Sequence, residues 1–156
     1  MGVRVQTEDF DVGREIALLR GSDARIGAVA SFVGLVRDEN DAATVRTLTL
    51  EHYPGMTEKA LDGIVDEARR RWLIYDAVVI HRVGELAPTD QIVLVAVSSA
   101  HRGDAFAACE FIIDYLKTQA PFWKKELTPD GERWVEARAS DDDAAARWQP
   151  SAKATS

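Results

Sequence analysis

Between His101 and Glu126 the chain reads HRGDAFAACEFIIDYLKTQAPFWKKE, an apolar stretch bracketed by cations. His101 and Arg102 open it where a helix should begin, and Lys117 stands where that helix should end. Lys124 and Lys125 follow the Pro121-Phe122-Trp123 turn. The whole protein carries a formal net charge of −7, so a gathering of cations here has no general cause. It points to a small anionic ligand. Free backbone N–H groups and the positive dipole end at a helix start favour an anion, and the arginine fork suits phosphate or carboxylate. Lys124 follows two aromatic rings that can exclude water. Two ammoniums held in a partly dry pocket are equipped for proton transfer or amine chemistry. Bland readings exist for each residue. Lys117 complements the C-terminal helix dipole and has Asp114 three residues before it as an ion-pair partner.

The remaining reactive side chains say less. Cys109 falls within the apolar stripe of Ala105, Ile112 and Leu116, where a thiol acts as a small hydrophobe. His52 shares a strand face with Leu48 and Leu50, and His81 alternates with Val79, so both read as core histidines. Three scattered histidines with no carboxylate at ligand spacing give no metal site, and no cofactor is expected. Neither a Gly-rich phosphate loop nor a nucleophile elbow occurs. Arg37 and Arg138 each end a predicted strand, and singly each is an ordinary surface arginine.

These residues need a scaffold. The patterning predicts strands over 3–5, 26–36, 45–52, 77–82, 91–98 and 133–138, and helices over 11–20, 56–72 and 104–118. The 56–72 segment sets Leu61, Ile64, Val65, Ala68 and Trp72 at spacings of three and four, as an amphipathic helix requires. Gln91–Ser98 is apolar at nearly every position, as for a strand covered on both faces. Gly27 and Gly34 suggest a bulge or a close backbone approach. Residues 37–41 read as a polar loop. Adjacent strands joined by short turns favour an α+β class: one domain over 1–139 with a mixed or antiparallel sheet and two main amphipathic helices. Residues 140–156 read as a low-complexity tail, in part disordered.

Composition agrees. A chain of 156 residues with 46% hydrophobic and 29% charged content is that of an ordinary globular protein. Its acidic balance argues against a nucleic-acid footprint. One cysteine excludes an intrachain disulfide, and no window nears the roughly 18 apolar residues of a membrane span. A cytoplasmic protein is expected.

The segments LTLEHYPGMTEKAL (48–61), VIHRVGEL (79–86), SSAHRGDAF (98–106) and DYLKTQAPFWKKE (114–126) together resemble the large, catalytic subunit of molybdopterin synthase. SFVGLVR (31–37) and GERWVEAR (131–138) fit the same family in the same order. The resemblance implies an α/β hammerhead fold. It also implies an activity: sulfur transfer that turns cyclic pyranopterin monophosphate into molybdopterin by forming a dithiolene. The sulfur would arrive as a C-terminal Gly-Gly thiocarboxylate on a small ubiquitin-like partner, within a heterotetramer built on a homodimer of this chain. By position, Lys117 and Lys124 match the catalytic lysines, and Leu35, Val36, Arg37, His101, Arg102, Lys125, Glu126 and Arg138 match the substrate pocket. Two departures stand out: Thr89 where the family pattern has glycine, and Ile113 where it has methionine. A docking module for a partner's C-terminal carboxylate, and a lysine Schiff-base enzyme acting on a phosphorylated carbonyl compound, are the competing readings.

Overall fold

The protein is described by a computed structural model covering residues 2–40, 43–135 and 139–149. In chain order the elements are β1 (Gly2–Gln6), α1 (Val12–Arg20), β2 (Ala28–Leu35), β3 (Glu39–Asn40), β4 (Ala43–Thr44), β5 (Thr47–His52) and α2 (Met56–Arg71). There follow β6 (Asp76–Arg82), β7 (Gly84–Leu86), β8 (Gln91–Ser99), α3 (Arg102–Gln119), β9 (Phe122–Thr128), β10 (Gly131–Val135) and α4 (Ala139–Ala146). This is the α+β arrangement that the patterning implies.

Strands β1-β6-β8-β2 form one sheet, parallel only at β1-β6, and β10-β9-β5-β7 form a second, antiparallel throughout. The first sheet explains the continuous apolar runs in β6 and β8. Val79, Val93, Val95 and Val97 pack with α2 and α3, through Leu61, Ala68, Phe111 and Ile112. Their neighbours Val78, Ile80, Leu94 and Ala96 point the other way, onto Phe10 and Leu19 around α1. Both faces are therefore dry. Each fully buried aliphatic or aromatic side chain contributes about 1.5–3 kcal/mol.

Local signals set the element ends. The Asp11 carboxylate caps α1 by accepting from the Arg14 N–H. Helix α3 stops at Ala120, whose extended backbone (φ −82°, ψ 137°) is what the following Pro121 requires. Gly27 lies so close to the Ala100 carbonyl that no Cβ would fit, and a Cβ on Gly34 would stand 2.8 Å from Val93. The register of β2 against β8 shifts just after Gly34.

Several elements differ from the expectation, among them the short strand β7. Segment 37–41 is more than a loop, since Glu39 and Asn40 pair with Thr44 and Ala43. The lysines after Pro121 lie on β9, a strand that the charged residues conceal. The expected tail begins with α4, which buries Ala145, and Trp148 beyond it meets Trp72 edge-on at 5.3 Å.

Thr89 is the one described non-glycine residue with positive φ, at 78°. The strain is held by a tight turn: its N–H donates to Val36 O (2.8 Å), while Val36 N–H donates to Asp90 O (2.9 Å). A β-branched residue there costs about 1–2 kcal/mol. Glycine removes that cost and loses about 0.5–1 kcal/mol of chain entropy. Thr89→Gly is thus expected to raise the melting temperature by about 2 °C in a thermal melt; a lowered midpoint would show that the turn is unstrained.

Candidate active site

Three elements converge on one cavity of about 280 Å³, at the lower end for small-molecule pockets. The end of β2 and the residues after it supply Leu35, Val36 and Arg37. The last turns of α3 supply Leu116 and Lys117, and β9 supplies Phe122, Lys124 and Glu126. Glu39, Asn40, His81 and Asp141 complete the polar part of the wall. The two lysines stand on different elements, one on α3 and one on β9, and the fold turns both toward the same hollow. Alternation along β9 explains the choice: residues 122, 124 and 126 line the cavity, while 123, 125 and 127 face away.

Lys117 is available because its expected partner is engaged elsewhere. The Asp114 carboxylate accepts from Arg147 and from the Trp148 indole N–H, each at 2.7 Å. The segment after α4 therefore holds the acid that would otherwise pair with Lys117. Glu126 is held on the wall, 4% exposed, by the Arg133 guanidinium at 2.9 and 3.0 Å and by the Asn40 amide. Arg133 also donates to Asn40 O at 2.9 Å, so strand β10 ties β9 to the segment that carries Arg37. Arg133→Ala would leave a buried carboxylate short of its strongest donor. With the guanidinium partly exposed, the expected loss is about 2 kcal/mol of stability in urea unfolding. Lysine at 133 should not restore it, because a single ammonium cannot reproduce the fork. Full stability in the alanine variant would refute the clamp.

His81 was expected in the core, and it is buried, at 3% exposure; but it also forms part of the cavity wall. Its ring stacks on Phe122 with centroids 3.8 Å apart. Its Nδ1 lies 2.8 Å from Arg82 O. A carbonyl only accepts, so Nδ1 carries the proton and Nε2 keeps its lone pair. Burial, followed by the charges of Lys117, Lys124 and His52, pushes its pKa down to about 3. Cys109 behaves as the stripe implied. Its thiol is buried and pushed up to about 12 by desolvation and the nearby Glu110, which leaves it unreactive.

Not every expected site residue gathers here. Lys125 faces the opposite side of β9, 3.7 Å from Glu132 and over the Trp134 ring, because adjacent strand residues point oppositely. His101 and Arg102 sit exposed at the start of α3, and Arg102 is about 22 Å along the helix axis from Lys117. Arg138 lies outside the described residues. His81 and Arg133 were missed. Alternation with Val79 concealed the first, and only the β9-β10 register, which pairs Arg133 with Glu126, reveals the second. Among the described residues no group of His, Cys, Asp or Glu is placed to hold a metal, and no helix is long and apolar enough to cross a membrane.

Comparison with known proteins gives a consistent result. The sequence pattern described as MoaE protein matches residues 5–119. A Ralstonia nicotianae protein named molybdopterin synthase catalytic subunit is 66% identical over 146 residues, covering 94% of this chain and 83% of the relative. An Escherichia coli protein of the same name is 60% identical over 144 residues, covering 92% and 95%. Among solved structures, the molybdopterin biosynthesis MoaE protein from Burkholderia ambifaria superposes with a TM-score of 0.81 at 61% identity, over 94% of this chain and 97% of that one. A molybdopterin synthase structure from Staphylococcus aureus gives a TM-score of 0.79 at 34% identity, over 85% and 96%.

Proposed function

The chain belongs to the MoaE family, and we propose that it acts as the catalytic subunit of a molybdopterin synthase, with Lys117 and Lys124 carrying the chemistry. The observation that carries the assignment of the lysines is their convergence, from the end of α3 and from β9, on one cavity beside Arg37. The substrate is cyclic pyranopterin monophosphate, and two sulfurs are installed as a dithiolene. They are delivered by the C-terminal thiocarboxylate of a small ubiquitin-like partner. Sulfur that arrives on the partner leaves no task for a reactive cysteine here, in keeping with the inert Cys109.

Lys117, with no acceptor among the described residues, holds the incoming acyl carbonyl or a pterin intermediate. Lys124 moves protons during ring opening and sulfur attack. Arg37 offers the guanidinium for the phosphate. His101 and Arg102 are too distant to serve the cavity of their own chain. In the proposed heterotetramer, built on a homodimer of this chain, they serve the cavity of the neighbouring copy. The decisive experiment mixes the purified protein with a thiocarboxylated small partner and the cyclic pterin and looks for dithiolene product. Product is expected. Its absence under conditions where the complex forms would overturn the synthase reading in favour of its competitors, foremost the docking reading, in which the basic cavity merely captures the partner's carboxylate terminus.

A further inference from the structure

Two polar groups in the cavity are each without a match. The Nε2 of His81 has no hydrogen-bond partner among the described residues, although the side chain is almost wholly buried. With Nδ1 on the Arg82 carbonyl, Nε2 is the ring nitrogen left for the cavity that His81 lines. The ammonium of Lys117, on the same wall, has no acceptor among the described residues, because Asp114 is taken by Arg147 and Trp148. One group can only accept and the other can only donate.

The imidazole is rigidly presented. Its plane is fixed by the stack on Phe122 and its tautomer by the Arg82 carbonyl. Its position in β6, at the centre of a four-stranded sheet, leaves the ring little freedom. Lys117, by contrast, has a four-carbon stem and several rotamers to lose. A fixed neutral acceptor is what a mobile ammonium needs to be aimed without being neutralised by a counter-charge. Of the carboxylates on the wall, Glu126 is already occupied by Arg133 and Asn40. Of the two lysines, Lys117 acts on the ring more strongly than Lys124.

We propose that His81 is a positioning residue of the reaction: its Nε2 is the neutral acceptor against which the Lys117 ammonium is set when substrate fills the cavity. The inference rests on the function proposed above, so the wild-type protein is first shown to form product with the thiocarboxylated partner and the cyclic pterin. If it does not, that earlier reading fails and this one is not reached.

Two substitutions then separate positioning from mere structure. His81→Asn places an amide near Nδ1 and keeps a donor for the Arg82 carbonyl, but it removes the cavity acceptor. His81→Gln places an amide oxygen near Nε2 instead. Positioning predicts that His81→Asn loses about tenfold in kcat with KM little changed, the equivalent of one lost hydrogen bond, and that His81→Gln retains most of the rate. The reverse order, or equal rates in both variants and the wild type, overturns the proposal. A second measurement holds even if a variant folds poorly. In wild-type protein labelled with ¹⁵N-histidine, Nε2 should resonate as an unprotonated acceptor. Its signal should move when the partner and substrate are added, and should stay in place in Lys117→Ala. No movement in the wild type, or the same movement in Lys117→Ala, shows that the lysine is not the donor and refutes the assignment.

Discussion

Lys117→Ala and Lys124→Ala are each expected to lower dithiolene formation by about 10²–10⁴-fold while the complex with the small partner still assembles. Both side chains end at the cavity, where few other groups can take over proton transfer or hold an acyl carbonyl. If, as proposed, the partner docks over more than the cavity, loss of one ammonium there should leave the complex intact. Lys117→Arg is a sharper probe of the same site. It keeps the positive charge, yet a guanidinium neither deprotonates nor attacks a carbonyl, so the charge alone should not rescue the rate. The measurements are single-turnover product formation and a pull-down with the partner. If the alanine variants made product within threefold of wild type and instead lost the partner, the two lysines would be docking residues and the catalytic assignment would be withdrawn.

The second large effect concerns acid. His81 is neutral in the fold with a pKa near 3, against 6.5 in an exposed imidazole, because burial removes water and Lys117, Lys124 and His52 repel a further positive charge. The unfolded chain takes up a proton as the pH drops below 6.5, and the folded chain does not until about pH 3. Protons therefore favour unfolding throughout that window, and stability is lost as the pH falls. The slope should approach about 1 kcal/mol per pH unit between roughly pH 6 and 4, since a full proton difference corresponds to 1.36. Carboxylates held low by hydrogen bonds, Asp9 by Gln91, Asp23 by Arg25 and Glu67 by Arg71, have ordinary values of 3.8–4.5 and add their own loss from about pH 5 downward, in wild type and variant alike. Urea unfolding at a series of pH values should show this slope in wild type and a much flatter one in His81→Phe. Parallel slopes would mean that His81 titrates normally in the fold.

Much of the fold was legible because local chemistry announces it. Leu61, Ile64, Val65 and Ala68 mark α2 by spacing, Asp11 and Gly21 mark the ends of α1, and Pro121 ends α3. The continuous apolar run of β8 declared a sheet covered on both faces, which the two clusters around α1 and α2-α3 satisfy. Strand β9 escaped because it lines a cavity. Its inward residues are Phe122, Lys124 and Glu126, so the usual sign of a strand, apolar side chains at alternate positions, is replaced there by charge. The segment at Glu39 and Asn40 escaped for a related reason: it is polar, and its place is secured by Glu126 and Arg133, distant in the chain.

The sequence alone named the candidate side chains and, through the matched segments, the family they belong to, for residue type and spacing along one chain are local properties. Tertiary structure decided which of them meet. It turned Lys117 and Lys124 inward, sent Lys125 to the other face of the same strand, and set His101 and Arg102 at the far end of α3. It also gave Asp114 to Arg147 and made the buried His81 part of the cavity wall. None of these outcomes follows from periodicity, because each depends on the register between β9, β5 and β10 and on the packing of α3 and α4. Apart from the β9-β10 hairpin, those are contacts between stretches of chain far apart in sequence.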